Sequence, residues 1–171
     1  MTSILRATGK DALALSILGK KSFLESHGHS ASSIDISSYL EVNYTPDAFQ
    51  HDLENNDSIF FKIIYNGQLA GYSKIILNSS VSNIPMQNIT KLERLYLLQS
   101  FYGLNLGLHL LEYNIKYSKE HGQKGIWLNV WTENIRAVNF YLKYGFKVFG
   151  ESHFKISEQH SNPNHQMYFG F

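Results

Sequence analysis

The residues of this chain best placed to do chemistry lie in Tyr102-Gly103-Leu104-Asn105-Leu106-Gly107. They follow the apolar run Leu92–Leu98, and a long amphipathic pattern begins at once behind them. A strand, a short loop with two glycines and a helix start together present unpaired backbone N–H groups at the positive end of a helix dipole, which suits a phosphate. The same residues would also serve as a plain strand-to-helix turn, so the loop alone leaves both readings open. Eight histidines raise the question of a metal, but Cys is absent. His27 and His29 sit two apart with no paired acid nearby, and the other histidines are scattered, so they read as surface or loop residues and no metal site is expected.

The elements that must position the loop can be read in order. Ile4–Ala7 is a short strand, and Asp11–Leu24 a helix with Ala12, Leu15, Leu18 and Phe23 on one face. His27-Gly28-His29 ends it, and Asp35–Val42 is a second short helix. Thr45 and Pro46 open a third, as N-cap and first helical residue. Ser58–Tyr65 and Leu69–Leu77 flank Asn66-Gly67, which suits the left-handed conformation of a tight hairpin turn. Asn78–Asn88, polar and containing Pro85, reads as a surface excursion, and Lys91–Leu98 as the next strand.

From Leu104, the positions Leu104, Leu108, Leu111 and Ile115 recur at helical spacing. A second stripe of Leu106, Leu110, Tyr113 and Tyr117 makes the buried face wide, and His121-Gly122 closes the helix. Gly125–Trp131 alternates as a strand does. Asn134–Tyr144 is a helix ending at Gly145. Phe146–Phe154 and Gln166–Phe171 are strands joined by a polar loop containing Pro163. Helices interleaved with strands in this order give a mixed α/β sheet.

Bulk properties fit one domain spanning residues 1–171, with enough chain for a sizeable core. Hydrophobic residues make up 43% and charged ones 17%, the balance of an ordinary globular protein. A net charge of +1 gives no field that would draw nucleic acid or an anionic membrane. No apolar window of about 18 residues is present, so no transmembrane helix is expected. Met1–Arg6 lacks the pattern of a signal peptide. With no cysteine, a cytoplasmic location is the expectation.

The segment Asn134-Ile135-Arg136-Ala137-Val138-Asn139-Phe140-Tyr141-Leu142-Lys143-Tyr144-Gly145-Phe146 decides between the two readings of the loop. Strand, glycine loop, long helix, strand, then N-x-x-A-x-x-F-Y-x-K-x-G-F resembles the GNAT N-acetyltransferase superfamily. The resemblance covers most of residues 58–155. Leu92-Glu93-Arg94-Leu95-Tyr96, Trp127–Trp131 and Phe146–Glu151 look most like bacterial spermidine/spermine acetyltransferases. It implies a central, largely antiparallel twisted sheet of six to seven strands, with a splayed parallel pair at 91–98 and 125–131 and helices on both faces.

The resemblance also implies acetyl-CoA as co-substrate. The pantetheine arm would pair near Leu97 and Leu98, and the pyrophosphate would rest on N–H groups from Tyr102, Gly103, Leu104, Asn105, Leu106 and Gly107. The oxyanion would take a backbone N–H near Leu98. Two positions depart from the family loop, Gln/Arg-x-x-Gly-x-Gly/Ala: Tyr102 replaces the basic or amide residue and Asn105 the first glycine. Asn tolerates positive φ best among non-glycine residues, so the turn can survive.

Tyr141 matches the family's general acid, which protonates the departing thiolate; as a helix residue alone it would read as core. Asn134 would contact the cofactor arm, cap its helix, or do both. Arg136 and Lys143 read as solvated. An amine must lose a proton before attack, and Glu93, sharing a strand side with Leu95 and Leu97, is the candidate base; a strand-edge salt bridge is the rival reading. His153 is placed near the acceptor end of the sheet.

The implied function is transfer of an acetyl group to a small primary amine, a polyamine first among them. The acceptor pocket would be built from the early helices, Asn78–Asn88 and the 156–166 loop. Asp35, Glu41, Asp47, Asp52 and Glu54 make the early helices locally acidic, which suits a cation or a solvated surface equally. A protein N-terminal or lysine acetyltransferase and a non-catalytic CoA-binding module are the alternatives, and a homodimer is a further expectation by resemblance.

Overall fold

The computed structural model describes residues 1–171. Seven strands form one sheet in the order β1-β2-β3-β4-β5-β7-β6. They are β1 (Thr2–Arg6), β2 (Ser58–Tyr65), β3 (Gln68–Ile76), β4 (Thr90–Leu97), β5 (Gly125–Trp131), β6 (Lys147–Lys155) and β7 (Ser161–Gly170). Five helices accompany them: α1 (Ala12–His27), α2 (Ser33–Asn43), α3 (Pro46–Glu54), α4 (Leu106–Glu120) and α5 (Ile135–Tyr144). β1–β2, β5–β7 and β6–β7 are antiparallel, whereas β4 and β5 run parallel, with Thr90 opposite Ile126 and Lys91 opposite Trp127. No helix is long and apolar enough to cross a membrane. The residues gather into two compact units, Met1–Ile75 with Arg94–Asn114, and Ile76–Glu93 with Ile115–Phe171.

In the first unit the local signals act as expected. The Thr45 hydroxyl accepts from the Ala48 N–H at 3.1 Å, and Ser32 caps α2 by accepting from the Asp35 N–H at 3.1 Å. Asn66 and Gly67 turn the β2–β3 hairpin with φ of 48° and 80°. α1 buries Leu15, Leu18 and Phe23 but leaves Leu13, Ile17 and Leu24 exposed, so its apolar residues are not confined to one stripe. Gly71 of β3 is required for space: a Cβ there would lie 2.3 Å from the Tyr96 carbonyl oxygen. Between β3 and α4, Ser73 and Asn114 are both fully buried and satisfy each other, with Asn114 Nδ2 donating to Ser73 Oγ at 2.9 Å.

In the second unit, residues 78–88 form the expected excursion and are pinned at several points. The Trp127 indole donates to the Ser79 carbonyl at 2.7 Å, Gln123 bonds Asn78 twice, and the Lys124 N–H donates to the Asn88 carbonyl at 2.7 Å. Buried Ile126, Leu128, Val130 and Met167 supply the apolar interior of β5 and β7.

One expectation fails here. The loop placed at 156–166 is strand from Ser161 onward, and Pro163 lies inside β7 opposite His153. Pro163 is tolerated because its carbonyl accepts from the Thr132 N–H at 3.0 Å, just past the end of β5. Its nitrogen therefore faces away from the β6 ladder, where no donor is missed.

Candidate active site

In the first unit the candidate residues lie at the end of β4 and in the loop into α4. Leu98 cannot play the part expected of it. Its N–H donates to the Ala70 carbonyl at 3.0 Å, and its carbonyl accepts from the Phe101 N–H at 2.9 Å. Both of its backbone groups are therefore committed to the turn and to β3. Leu97, one residue earlier, presents its N–H and C=O on the opposite edge of β4, as strand alternation requires.

The loop narrows in the same way. The Tyr102 N–H donates to the Gln99 carbonyl at 3.1 Å, closing a 3₁₀ turn over Gln99–Phe101, so Tyr102 offers no free amide. Gly103 and Asn105 both adopt left-handed backbone, with φ of 80° and 57°. Asn105 thus supplies the positive φ that a glycine would give. Its carbonyl accepts from the His109 N–H at 3.0 Å, which opens α4. The N–H groups of Leu106, Gly107 and Leu108 are then the first-turn donors, with no intrahelical acceptor. No acidic residue stands in that turn. Leu106 is buried and anchors the start, whereas Gly103, Leu104 and Asn105 are exposed, and a Cβ on Gly103 would meet nothing within 4 Å. An open loop over uncapped donors fits a diphosphate.

In the second unit the candidate residues lie on α5 and at the start of β4. Asn134 caps α5, its Oδ1 accepting from the Ala137 N–H at 3.2 Å. The other end is closed by Gly145 at φ 117°, whose N–H reaches the carbonyls of Leu142 and Tyr141. Caps at both ends hold the short helix that carries Tyr141. This side chain is buried, with its ring 5.1 Å from Phe140 and 5.3 Å from Phe146. Burial raises its pKa well above the usual phenol range, so the hydroxyl keeps its proton at any working pH. A phenol held neutral in apolar surroundings can donate a proton but cannot act as a base.

Glu93 is exposed, and its Oε1 lies 3.5 Å from the Lys91 ammonium, which in turn stands 5.4 Å from the centre of the Trp127 ring. The strand-edge pair therefore exists, and it is loose. His153 is exposed on β6. His27 departs from the surface reading: it stacks on Phe23 at 5.0 Å, meets the edge of Tyr96 at 6.2 Å, and burial lowers its pKa to about 4, with the His29 charge adding to the effect.

The acidic side chains expected near an acceptor are largely committed within the first unit. Asp52 takes the Lys74 ammonium at 2.7 Å and the Ser58 hydroxyl at 3.0 Å. Glu54 accepts from Gln50, and Asp35 accepts from the Ser32 hydroxyl at 2.7 Å. Sequence reading missed Arg94, which it treated only as a neighbour of Glu93. The signal available was a cationic residue between the apolar Leu92 and Tyr96 of a strand, where a charge demands a reason.

The model of the acetyltransferase (GNAT) family matches residues 28–146. An uncharacterised N-acetyltransferase of Lactobacillus delbrueckii subsp. lactis is 27% identical over 155 residues, covering 91% of this chain and 90% of the relative. An uncharacterised N-acetyltransferase of Mycobacterium tuberculosis is 26% identical over 127 residues, covering 74% and 77%. Among solved structures, the PaiA N-acetyltransferase of Thermoplasma acidophilum in complex with coenzyme A superposes with a TM-score of 0.80 at 20% identity, over 100% of this chain and 99% of that one. The ribosomal-protein-S18-alanine N-acetyltransferase of Escherichia coli gives 0.68 at 17% identity, over 99% and 94%.

Proposed function

The chain belongs to the acetyltransferase (GNAT) family, and we propose that it moves an acetyl group from acetyl-CoA to a small primary amine by direct attack in a ternary complex. The observation that carries this reading is the start of α4. Gly103 and Asn105 turn the chain with positive φ and leave a first turn with open donors and no carboxylate. There the N–H groups of Leu106, Gly107 and Leu108, with the exposed loop at Gly103, Leu104 and Asn105, hold the pyrophosphate by backbone and dipole. The arginine or glutamine of the usual loop has no counterpart at Tyr102, so the grip rests on the main chain. Leu97 is the β4 residue left to pair with the amide-rich pantetheine arm and to face the oxyanion.

In the reaction the neutral amine nitrogen bonds to the thioester carbonyl carbon, the carbon–sulfur bond breaks, and the sulfur leaves with the bonding pair. Tyr141 donates its proton to that sulfur; burial keeps the phenol protonated so that the proton is there to give. Glu93 takes the proton from the amine, directly or through a water. Asn134 caps α5 with its oxygen and has its amide nitrogen left for the cofactor arm.

Polyamines are the acceptors that the finer sequence resemblance brings forward, and the commitment of Asp52, Glu54 and Asp35 weakens the electrostatic case for them. The test is thiol release from acetyl-CoA over a panel of polyamines, amino acids, simple amines and peptide N-termini, alongside calorimetry with CoA. Thiol release that depends on a primary amine is the expected result. CoA binding with no turnover on any amine would leave a binding module, and no CoA binding would overturn the reading entirely.

A further inference from the structure

Arg94 on β4 is a cation of the first unit's aromatic core that makes no ion pair. Its guanidinium carbon stands 5.1 Å from the centre of the Tyr44 ring and 5.5 Å from that of Phe49. Around it the rings run in a chain: Tyr44 to Phe49 at 5.8 Å, Phe49 to Tyr72 at 5.8 Å, Tyr72 to Tyr96 at 5.9 Å, and Tyr44 to Tyr39 at 6.1 Å. Tyr72 is fully buried, and the side-chain partner of its hydroxyl is Arg94 itself. Lys74, the ammonium over the Phe60 ring of the same core, is paired with Asp52. The cluster thus holds a half-buried guanidinium without a carboxylate, with the buried Tyr72 hydroxyl against it in the same wall.

Ring faces compensate a guanidinium only in part, and an uncompensated cation taken out of water is costly. Its five N–H donors form a planar fork that matches a carboxylate by two parallel bonds, which an ammonium cannot do. The tyrosines add flat walls, and the Tyr72 oxygen, which can only accept from Arg94, keeps its proton to donate. Helices α1 through α3 supply Phe23, Tyr39 and Phe49 and the turn between α2 and α3 supplies Tyr44, far in sequence from the α4 loop assigned to the cofactor.

We propose that Arg94, with the Tyr72 hydroxyl and the rings of Tyr44 and Phe49, is an anion subsite for the acceptor, which is a primary amine that also bears a carboxylate, an amino acid or short peptide. The inference rests on the N-acetyltransferase reading and narrows its acceptor class.

Matched pairs that differ only by the carboxylate test it: lysine against cadaverine, ornithine against putrescine, phenylalanine against phenethylamine. With the wild-type protein the carboxylate-bearing member is expected to have the higher kcat/KM by about tenfold to a hundredfold, the range of a charge-assisted hydrogen-bonded pair. Arg94→Gln should collapse that ratio towards one, and Arg94→Lys should leave it in between, the loss falling on KM rather than kcat. If the diamines are the better acceptors in every pair, the subsite is overturned while the enzyme reading stands. If no amine is turned over, that reading fails instead. Calorimetry of the same pairs with CoA present then decides the subsite by binding: amino acids binding the wild type and not Arg94→Gln support it, and equal binding of both members overturns it. The wild-type comparison requires no variant, so a misfolded substitution does not spare the proposal.

Discussion

Two helices of this protein begin at an asparagine, and they use it in opposite ways. At α5, Asn134 turns its side chain onto its own helix and satisfies the Ala137 N–H. At α4, Asn105 adopts a left-handed backbone, φ 57°, and its carbonyl rather than its side chain opens the helix. The first arrangement stabilises a helix end and leaves little for a ligand. The second leaves an end with open donors, which only a ligand or water can satisfy. One residue type thus serves stability at one site and binding at the other, and backbone conformation decides which. On this reading α4 grips the cofactor through its start, and α5 does chemistry through its body, at Tyr141.

The sharpest way to separate those roles is Tyr141→Phe. Losing a general acid should lower kcat by about a hundredfold or more, with CoA affinity held within about twofold because the ring remains against Phe140 and Phe146. Stopped-flow thiol release and calorimetry read the two quantities separately. Because burial raises the Tyr141 pKa, its proton is present throughout the alkaline range, so the rate should not fall between about pH 9 and pH 10 on its account. An alkaline loss of kcat that vanishes in Tyr141→Phe would contradict the buried-acid assignment.

Next in size is Asn105→Asp, which keeps shape and tolerance of positive φ but puts a carboxylate among the phosphate donors. Repulsion near the surface should weaken CoA binding by about thirtyfold to a hundredfold. The helix itself should gain a few tenths of a kcal/mol, since an anion at its N-terminus favours the dipole. Opposite signs in calorimetry and in thermal unfolding are the signature of a binding end; a joint loss of both would show that Asn105 is only a structural turn.

What the sequence made legible follows from how local each signal is. The Asn66-Gly67 hairpin, the Thr45 cap, the Gly145 stop and the start of β5 at Gly125 are decided by a few neighbouring residues, and the structure holds them where they were expected. The positive φ of Asn105 was legible too, from residue type alone. The strand from Ser161 was not, because Pro163 reads as a breaker until the Thr132 N–H shows which edge its carbonyl faces. Leu98 and Tyr102 were assigned donors that the fold had already used, and a sequence does not show where a backbone N–H is directed. The acidic early helices misled for the same reason, since the partners of Asp52, Lys74 and Ser58, lie in other elements. Arg94 needed five aromatic neighbours from α2, α3, β3 and β4 to become visible as a charge without a counter-ion.

At α5 the matching substitution should do least. Asn134→Ala removes the cap and should cost about 1 kcal/mol of stability, as N-cap truncations do. Asn134→Asp keeps an acceptor oxygen for the Ala137 N–H and adds a charge at a favourable helix end, so stability should be held or rise slightly. What it removes is the side-chain amide donor, the group assigned to the cofactor arm. A single exposed hydrogen bond of that kind is worth about a fivefold change in CoA affinity at most. Placed beside Asn105→Asp, the same exchange of amide for carboxylate is then expected to be severe at α4 and mild at α5. A loss at Asn134→Asp as large as at Asn105→Asp would mean that phosphate reaches both helix starts, and the division of labour between gripping and reacting helices would have to be abandoned.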